Sequence, residues 1–350
     1  MPSNGNVSDS AKELSYRARA PLRISFGGGG TDVSPYCDER GGAVLSATLN
    51  RYAYASLVPG GASINIRSLD FDASISYGLD EAFVLDGQLD LVKGVIDHFR
   101  REYGFPHGFS VILHNDAPPG SGLGSSSAIT VALLGALTRF LGLSFGPYEI
   151  ADLAFRIERI EVGLVGGKQD QYASTFGGVN FIEFFASDTI VSQLRLSPDI
   201  VKELEYCLVC AYVGGNRSFQ RILERQVGNY RSGNVDAIAA MDELKQYAHE
   251  MKRALLKGNI VRLGELLDLA WCSKKRMAEG ISNPEIDDLY SATCEAGALG
   301  GKISGVGGGG FMFFIADPMR KHDVQLQLRE KGAQILPFSL VDEGLCTWRA

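Results

Sequence analysis

Residues 118–128 read Pro-Pro-Gly-Ser-Gly-Leu-Gly-Ser-Ser-Ser-Ala, and few folds can use such a stretch. Gly120, Gly122 and Gly124 alternate with Ser121 and Leu123, so the backbone can enter conformations closed to other residues and press close to a ligand. Pro119 leads in, and Ser125, Ser126 and Ser127 follow where a helix would be capped. Residues 128–137 are apolar on every face, the pattern of a helix buried all round. A glycine loop feeding a helix N-terminus offers unpaired N–H groups at the positive end of a dipole, which suits a phosphate. A capped tight turn is the plainer reading of a Gly-Ser segment. The density of glycine and serine at one helix start favours phosphate.

Two better-known phosphate patterns are absent. Gly167-Lys168 and Gly301-Lys302 lack both the following Ser or Thr and the upstream glycine of a Walker loop. Gly305 to Gly310 satisfies G-x-G-x-x-G, but a strand-like apolar run follows where a dinucleotide fold needs a helix.

The chain has 350 residues and a net charge of −7, which argues against nucleic acid or a membrane surface as partner. An anionic substrate would need locally placed cations and a metal. The six cysteines are scattered apart from Cys207 and Cys210, whose apolar setting reads as two buried thiols. With no signal peptide and no long apolar run, the expected location is cytoplasmic.

Residues 1–16 are polar and without period, and are expected to form a disordered tail. Strands are predicted at 17–26, 43–49, 52–58, 63–68, 73–77 and 109–114, with helices at 91–103 and 147–162. Residues 163–172 read as a glycine-rich loop. Past a boundary near 187–200, helices are predicted at 218–228, 236–256, 260–279, 283–298 and 319–331. A strand at 206–212, a loop at 300–310 and a strand at 311–316 complete this half, with short strands near 334–339 and 344–348. Mixed rather than alternating elements imply an α+β fold with two lobes, 17–190 and 191–350.

Three further sites stand out. Gly27, Gly28, Gly29 and Gly30 precede Thr31 and Asp32, and four consecutive glycines are too costly in entropy for a bare turn. Asp32 is expected to accept hydrogen bonds from substrate hydroxyls, or else to cap a local turn. Glu158 and Glu161 lie near a helix C-terminus, where acids oppose the dipole and suggest a nearby cation. Asp170, in a glycine-flanked loop, is the best candidate base.

Residues 20–32, 118–128 and 302–310, in this order and spacing, resemble the motifs of the GHMP small-molecule kinases, a likeness spanning nearly the whole chain. The resemblance implies a two-lobed α+β fold, an ATP-binding N-terminal lobe, and ATP and substrate in the cleft. It assigns Pro119 to Ser127 to the phosphates, Ser126 and Glu158 to Mg²⁺, and Asp170 to catalysis. Arg23 would lie near the reacting oxygen; Gly29, Gly30, Thr31, Asp32, Gly307 and Gly308 would lie at the substrate. One more residue separates Glu158 from Asp170 than in mevalonate kinase. Lys168 has two open roles, stabilising developing charge or tuning Asp170 by proximity.

Residues 27–32, 167–172, Trp271 with Lys274-Lys275, and 283–287 are similar to the heptose 7-phosphate kinases and the kinase part of L-fucokinase. The implied reaction is phosphorylation of an anomeric hydroxyl, of a heptose 7-phosphate or, as runner-up, of free L-fucose. The substrate phosphate would need cations, for which Arg217 with Arg221, and Lys274, Lys275 and Arg276, are candidates. Gly214-Gly215-Asn216 before Arg217 favours a binding loop there. ATP and a phosphosugar are the expected partners, and a homodimer is left open. A catalytically inactive sugar and nucleotide sensor is the alternative of another class, disfavoured because Asp170, Ser126 and Glu158 are all present.

Overall fold

The computed structural model describes residues 14–215 and 219–350. It opens with β1 (Tyr16–Gly27), α1 (Tyr36–Arg40), β2 (Gly42–Pro59), β3 (Ser63–Ser68), β4 (Ala73–Gly78), α2 (Asp90–Glu102) and β5 (Phe109–Asn115). Then come α3 (Ser125–Leu141), α4 (Pro147–Arg156) with a π-helical turn at Ile157–Glu161, α5 (Gln169–Phe176), β6 (Val179–Phe184) and β7 (Thr189–Gln193). The second half holds α6 (Pro198–Cys207), β8 (Leu208–Gly215), α7 (Phe219–Arg231), α8 (Val235–Leu256), α9 (Ile260–Met277) and α10 (Pro284–Glu295). It ends with β9 (Ala298–Ile303), β10 (Gly309–Ala316), α11 (Lys321–Glu330), β11 (Gln334–Ile335) and β12 (Cys346–Arg349).

These elements form a mixed α and β fold of two lobes, each built on its own sheet. The first sheet runs β12-β1-β2-β5-β3-β4, with β6 and β7 joined along β2. Only β3 against β5 is parallel among its pairings. The second runs β11-β8-β10-β9 and is antiparallel throughout. Helix α3 packs against β1 and β2 and is buried along nearly its whole length, which is why its sequence carries no polar face. No helix among the described residues is long and apolar enough to cross a membrane.

Several elements depart from the sequence pattern for identifiable reasons. Residues 43–49 and 52–58 form one strand, β2, rather than two. Its first half pairs with β6 and its second with β5, and a bulge against β1 between Pro21 and Arg23 absorbs the polar break. Strand β1 starts at Tyr16, and Ser15 exchanges backbone hydrogen bonds with Ala350 at 3.0 Å each way. The expected tail to residue 16 therefore overlaps the sheet at its end; residues 1–13 lie outside the described residues. The division at 190 cuts β7, and β12 returns to the first sheet beside β1. Helix α6 ends at Cys207, so the strand predicted from 206 begins at Leu208. Residues 300–303, expected as loop, belong to β9 and hydrogen-bond to β10.

Candidate active site

Gly120, Gly122 and Gly124 all adopt positive φ, at 76°, 80° and 77°. A Cβ on Gly122 would strike the carbonyl oxygen of Ser304, and one on Gly124 would sit 3.4 Å from the Asp170 carboxyl carbon. Helix α3 begins at Ser125 with Gly124 as its cap residue and no side-chain cap. Ser197, Asn234, Asn259 and Asn283 cap α6, α8, α9 and α10 in the ordinary way. The first N–H groups of α3 thus keep no side-chain partner and open on a cavity of about 300 Å³. Gly120, Gly122, Gly124, Ser125, Ser126 and Ser127 line it. Pro119, Ser121 and Leu123 do not: the Ser121 carbonyl accepts from Phe311 N–H and the Leu123 carbonyl from Arg23 N–H, both at 2.9 Å. Those three residues shape the loop.

Behind Gly124 lies a buried ion pair. Arg23 Nη2 is 2.5 Å from Asp170 Oδ1, and Arg23 Nε donates to the same oxygen at 2.8 Å. Arg23 Nη1 donates to the Gly122 carbonyl at 2.7 Å, tying the pair to the phosphate loop. Asp170 Oδ2 accepts no hydrogen bond among the described residues, and Asp170 lines the cavity. Asp170 sits in the first turn of α5, not in the loop predicted to run to 172. The Asp32 carboxylate sits at the positive end of that helix, accepting from Gln169 N–H at 3.1 Å.

Glu158 is buried in the π-helical turn. Its Oε2 accepts from Ser127 Oγ at 2.9 Å and Gln171 Nε2 at 2.7 Å, while Oε1 is buried with no partner. Burial pushes the Glu158 carboxyl above the usual range, against the pull of Arg159 beside it. No three His, Cys, Asp or Glu side chains form an all-protein metal cage among the described residues. One orphaned carboxylate oxygen beside the exposed Ser126 suits Mg²⁺, which takes few protein ligands and completes its shell with phosphates and water. Glu161 points elsewhere, to His98 and Arg101.

The glycine run forms the opposite wall. Asp32 lies there, but it already accepts from Gly30 N–H at 2.9 Å and from Gln169 Nε2 at 3.1 Å. Thr31 does not reach the cavity: its hydroxyl donates to the Gly28 carbonyl at 2.8 Å and accepts from Ala43 N–H at 3.1 Å. Gly30 lines the cavity, and the Gly29 carbonyl accepts from Lys274 Nζ at 2.9 Å. Lys274 is buried yet faces the cavity, also reaching Gln226 Oε1 at 3.5 Å.

Other expected residues lie off the site. Lys168 does not line the cavity: its largely buried side chain lies 3.7 Å from Asp38 and donates to the Phe185 carbonyl. Gly307 and Gly308 pack on Ile281 and Ile222, leaving Gly305 and Val306 to line the cavity. Lys275 pairs with Asp287, and Arg276 with Asp236 and Glu243. Arg221 is exposed and not part of the lining, and Arg217 lies outside the described residues. Gln169, Gln171 and Gln226 join the site without having stood out in the sequence as single residues. The one signal there is the pair of glutamines flanking Asp170.

Comparison with known proteins covers most of the chain. Residues 90–178 match the model for the GHMP kinases N terminal domain, and residues 251–334 that for the GHMP kinases C terminal region. The D-glycero-alpha-D-manno-heptose 7-phosphate kinase of Campylobacter jejuni subsp. jejuni serotype O:2 is 39% identical, over 95% of this chain and 98% of that protein. The crystal structure of a D-glycero-D-manno-heptose 1-phosphate kinase from Bacteriodes thetaiotaomicron superposes with a TM-score of 0.81. It is 37% identical and covers 95% of this chain and 98% of that one. The L-fucokinase/L-fucose-1-P guanylyltransferase of Bacteroides fragilis is 27% identical over 93% of this chain, which spans 38% of that longer protein. The N-terminal match contains the phosphate loop, Glu158 and Asp170. The likeness to the Campylobacter protein runs almost end to end, and the chain belongs to the GHMP kinase family of ATP-dependent kinases.

Proposed function

We propose that the protein transfers the γ-phosphoryl group of ATP to the anomeric hydroxyl of a heptose 7-phosphate, giving a 1,7-bisphosphate. The observation that carries this reading is the Arg23–Asp170 pair, tied to the phosphate loop through the Gly122 carbonyl and lining the cavity beside it. The heptose phosphate kinases named above support the choice of acceptor.

Phosphoryl transfer asks for in-line positioning and charge neutralisation more than for covalent chemistry. The α3 N-terminus and the backbone of Gly122 to Ser127 bind the phosphates, with electrostatics that cost no reorganisation during reaction. Arg23 holds Asp170 Oδ1, which leaves Oδ2 to orient the sugar hydroxyl and take its proton as the oxygen–phosphorus bond forms and ADP leaves. An anomeric hydroxyl is more acidic than an ordinary alcohol, which lowers the demand on that base. Glu158 Oε1 and the Ser126 hydroxyl would hold Mg²⁺, which supplies neutralisation of the phosphate oxygens when bound.

A coupled assay of ADP release across heptose 7-phosphate, free heptose, L-fucose, galactose and mevalonate tests the reading. Turnover is expected to be fastest with heptose 7-phosphate, with phosphorus NMR locating the new phosphate on the anomeric oxygen. Preference for L-fucose would replace the acceptor. Nucleotide binding without turnover of any acceptor would point to a sensor.

A further inference from the structure

Three cationic side chains line the central cavity among the described residues: Arg23, Arg159 and Lys274. Arg23 is neutralised by Asp170 and Arg159 by Glu158, at 2.5 and 3.2 Å. Lys274 has no carboxylate within ion-pair distance among the described residues. Its contacts are two neutral oxygens, the Gly29 carbonyl and Gln226 Oε1. It is only 3% exposed. Burying an ammonium without a counter-ion is costly, and a third N–H is left over for a further acceptor. Desolvation accordingly pulls its pKa down to about 8, opposed by the field of Asp32.

Among the described residues Lys274 makes no hydrogen bond to the phosphate loop. The phosphate loop touches Arg23 through the Gly122 carbonyl, Arg23 holds Asp170, and the adjacent Gln169 holds Asp32. Asp32 in turn binds Gly30 N–H, and Lys274 binds Gly29 beside it. Asp170 thus stands between the phosphate loop and Lys274 in the order of these contacts. An anion on the ammonium belongs to the acceptor, away from the hydroxyl that reacts. A hydroxyl alone would not call for a buried charge, since a neutral amide binds it as well.

Resting on the heptose-phosphate reading above, we propose that Lys274 is the receptor for the phosphate already carried by the acceptor, and so sets the preference for a phosphosugar over the free sugar. Gln226 acts as a positioning residue: its Oε1 contacts the ammonium while its Nε2 donates to the Val306 carbonyl at 3.3 Å.

The test compares KM and kcat on heptose 7-phosphate and free heptose for wild type, Lys274→Met and Gln226→Glu. Loss of one charged hydrogen bond should raise KM for the phosphosugar roughly 10–100-fold in Lys274→Met, with the free sugar shifted less than about threefold. Gln226→Glu keeps the lysine but supplies a counter-ion 3.5 Å away, so it should raise the same KM even if the methionine variant does not fold. A wild-type preference that survives both substitutions, or equal losses on both sugars, overturns the role of Lys274 and leaves the heptose-phosphate reading intact. A wild type without any preference overturns that reading itself, and the receptor with it.

Discussion

Replacing Asp170 by Asn separates charge from shape at the centre of the site. The amide oxygen can still accept the Nε–H that Arg23 now donates to Oδ1 at 2.8 Å, so the local geometry should hold. Two things change. The proton acceptor for the sugar hydroxyl is gone, which should lower kcat by about 10²–10⁴-fold, the range for loss of a general base. Arg23, whose side chain is 3% exposed, also loses its counter-charge. Breaking a fully buried pair costs about 3–5 kcal/mol. Asp170 is 24% exposed on the cavity side, and the surviving hydrogen bonds reduce the loss, so about 1–2 kcal/mol is expected here. At about 2 °C per kcal/mol for a long chain, Tm should fall by about 2–4 °C. The assay is kcat at saturating ATP and acceptor, with thermal unfolding alongside, for Asp170→Asn, Arg23→Gln and the double variant. Because the two residues act as one unit, the double variant should lose less activity than the product of the single losses, by a coupling of about 1–3 kcal/mol. Near-wild-type kcat in Asp170→Asn, or losses that multiply cleanly, would refute a joint role.

Glu158→Gln should raise the Mg²⁺ concentration for half-maximal activity severalfold, since it removes the charge of the carboxylate whose Oε1 has no protein partner. Glu161→Gln should leave the Mg²⁺ titration unmoved, because Glu161 is paired with His98 and Arg101. Lys168→Ala should keep kcat within about threefold of wild type, since its ammonium contacts Asp38 and the Phe185 carbonyl and it does not line the cavity. A pH series should show KM for the phosphosugar rising above about pH 8, where Lys274 loses its proton, with kcat less affected. Asp32 opposes that loss, and the neighbouring buried Lys302 is itself pulled down by desolvation and by Lys274 and Arg23. The sign for stability is the reverse. The unfolded chain holds the Lys274 proton up to its ordinary value near 10, so this group makes the substrate-free protein more stable as pH climbs from about 8, measurable by denaturant unfolding.

The features legible in the sequence share one property: their physics is local. Alternating glycines ahead of an apolar run mark a backbone that must take positive φ and then enter a buried helix, and residues 120–137 do both. Asn283 before Pro284 starts a helix by its own side chain. Asp170, Glu158 and Arg23 are legible because each lies within a short motif, and the cavity gathers all three. Tertiary structure decided matters that depend on what arrives from far along the chain. Helix α5 begins inside the stretch expected as glycine-rich loop, and Asp32, 137 residues away, accepts from its first N–H. Lys168 stands two residues from Asp170 yet turns to the Phe185 carbonyl, outside the cavity lining, whereas Lys274, over a hundred residues on, lines the cavity and contacts Gly29. Direction, burial and the presence of a counter-charge are properties of packed neighbours. A lysine in a sequence carries its charge everywhere, and only the fold determines whether a carboxylate comes close enough to cancel it.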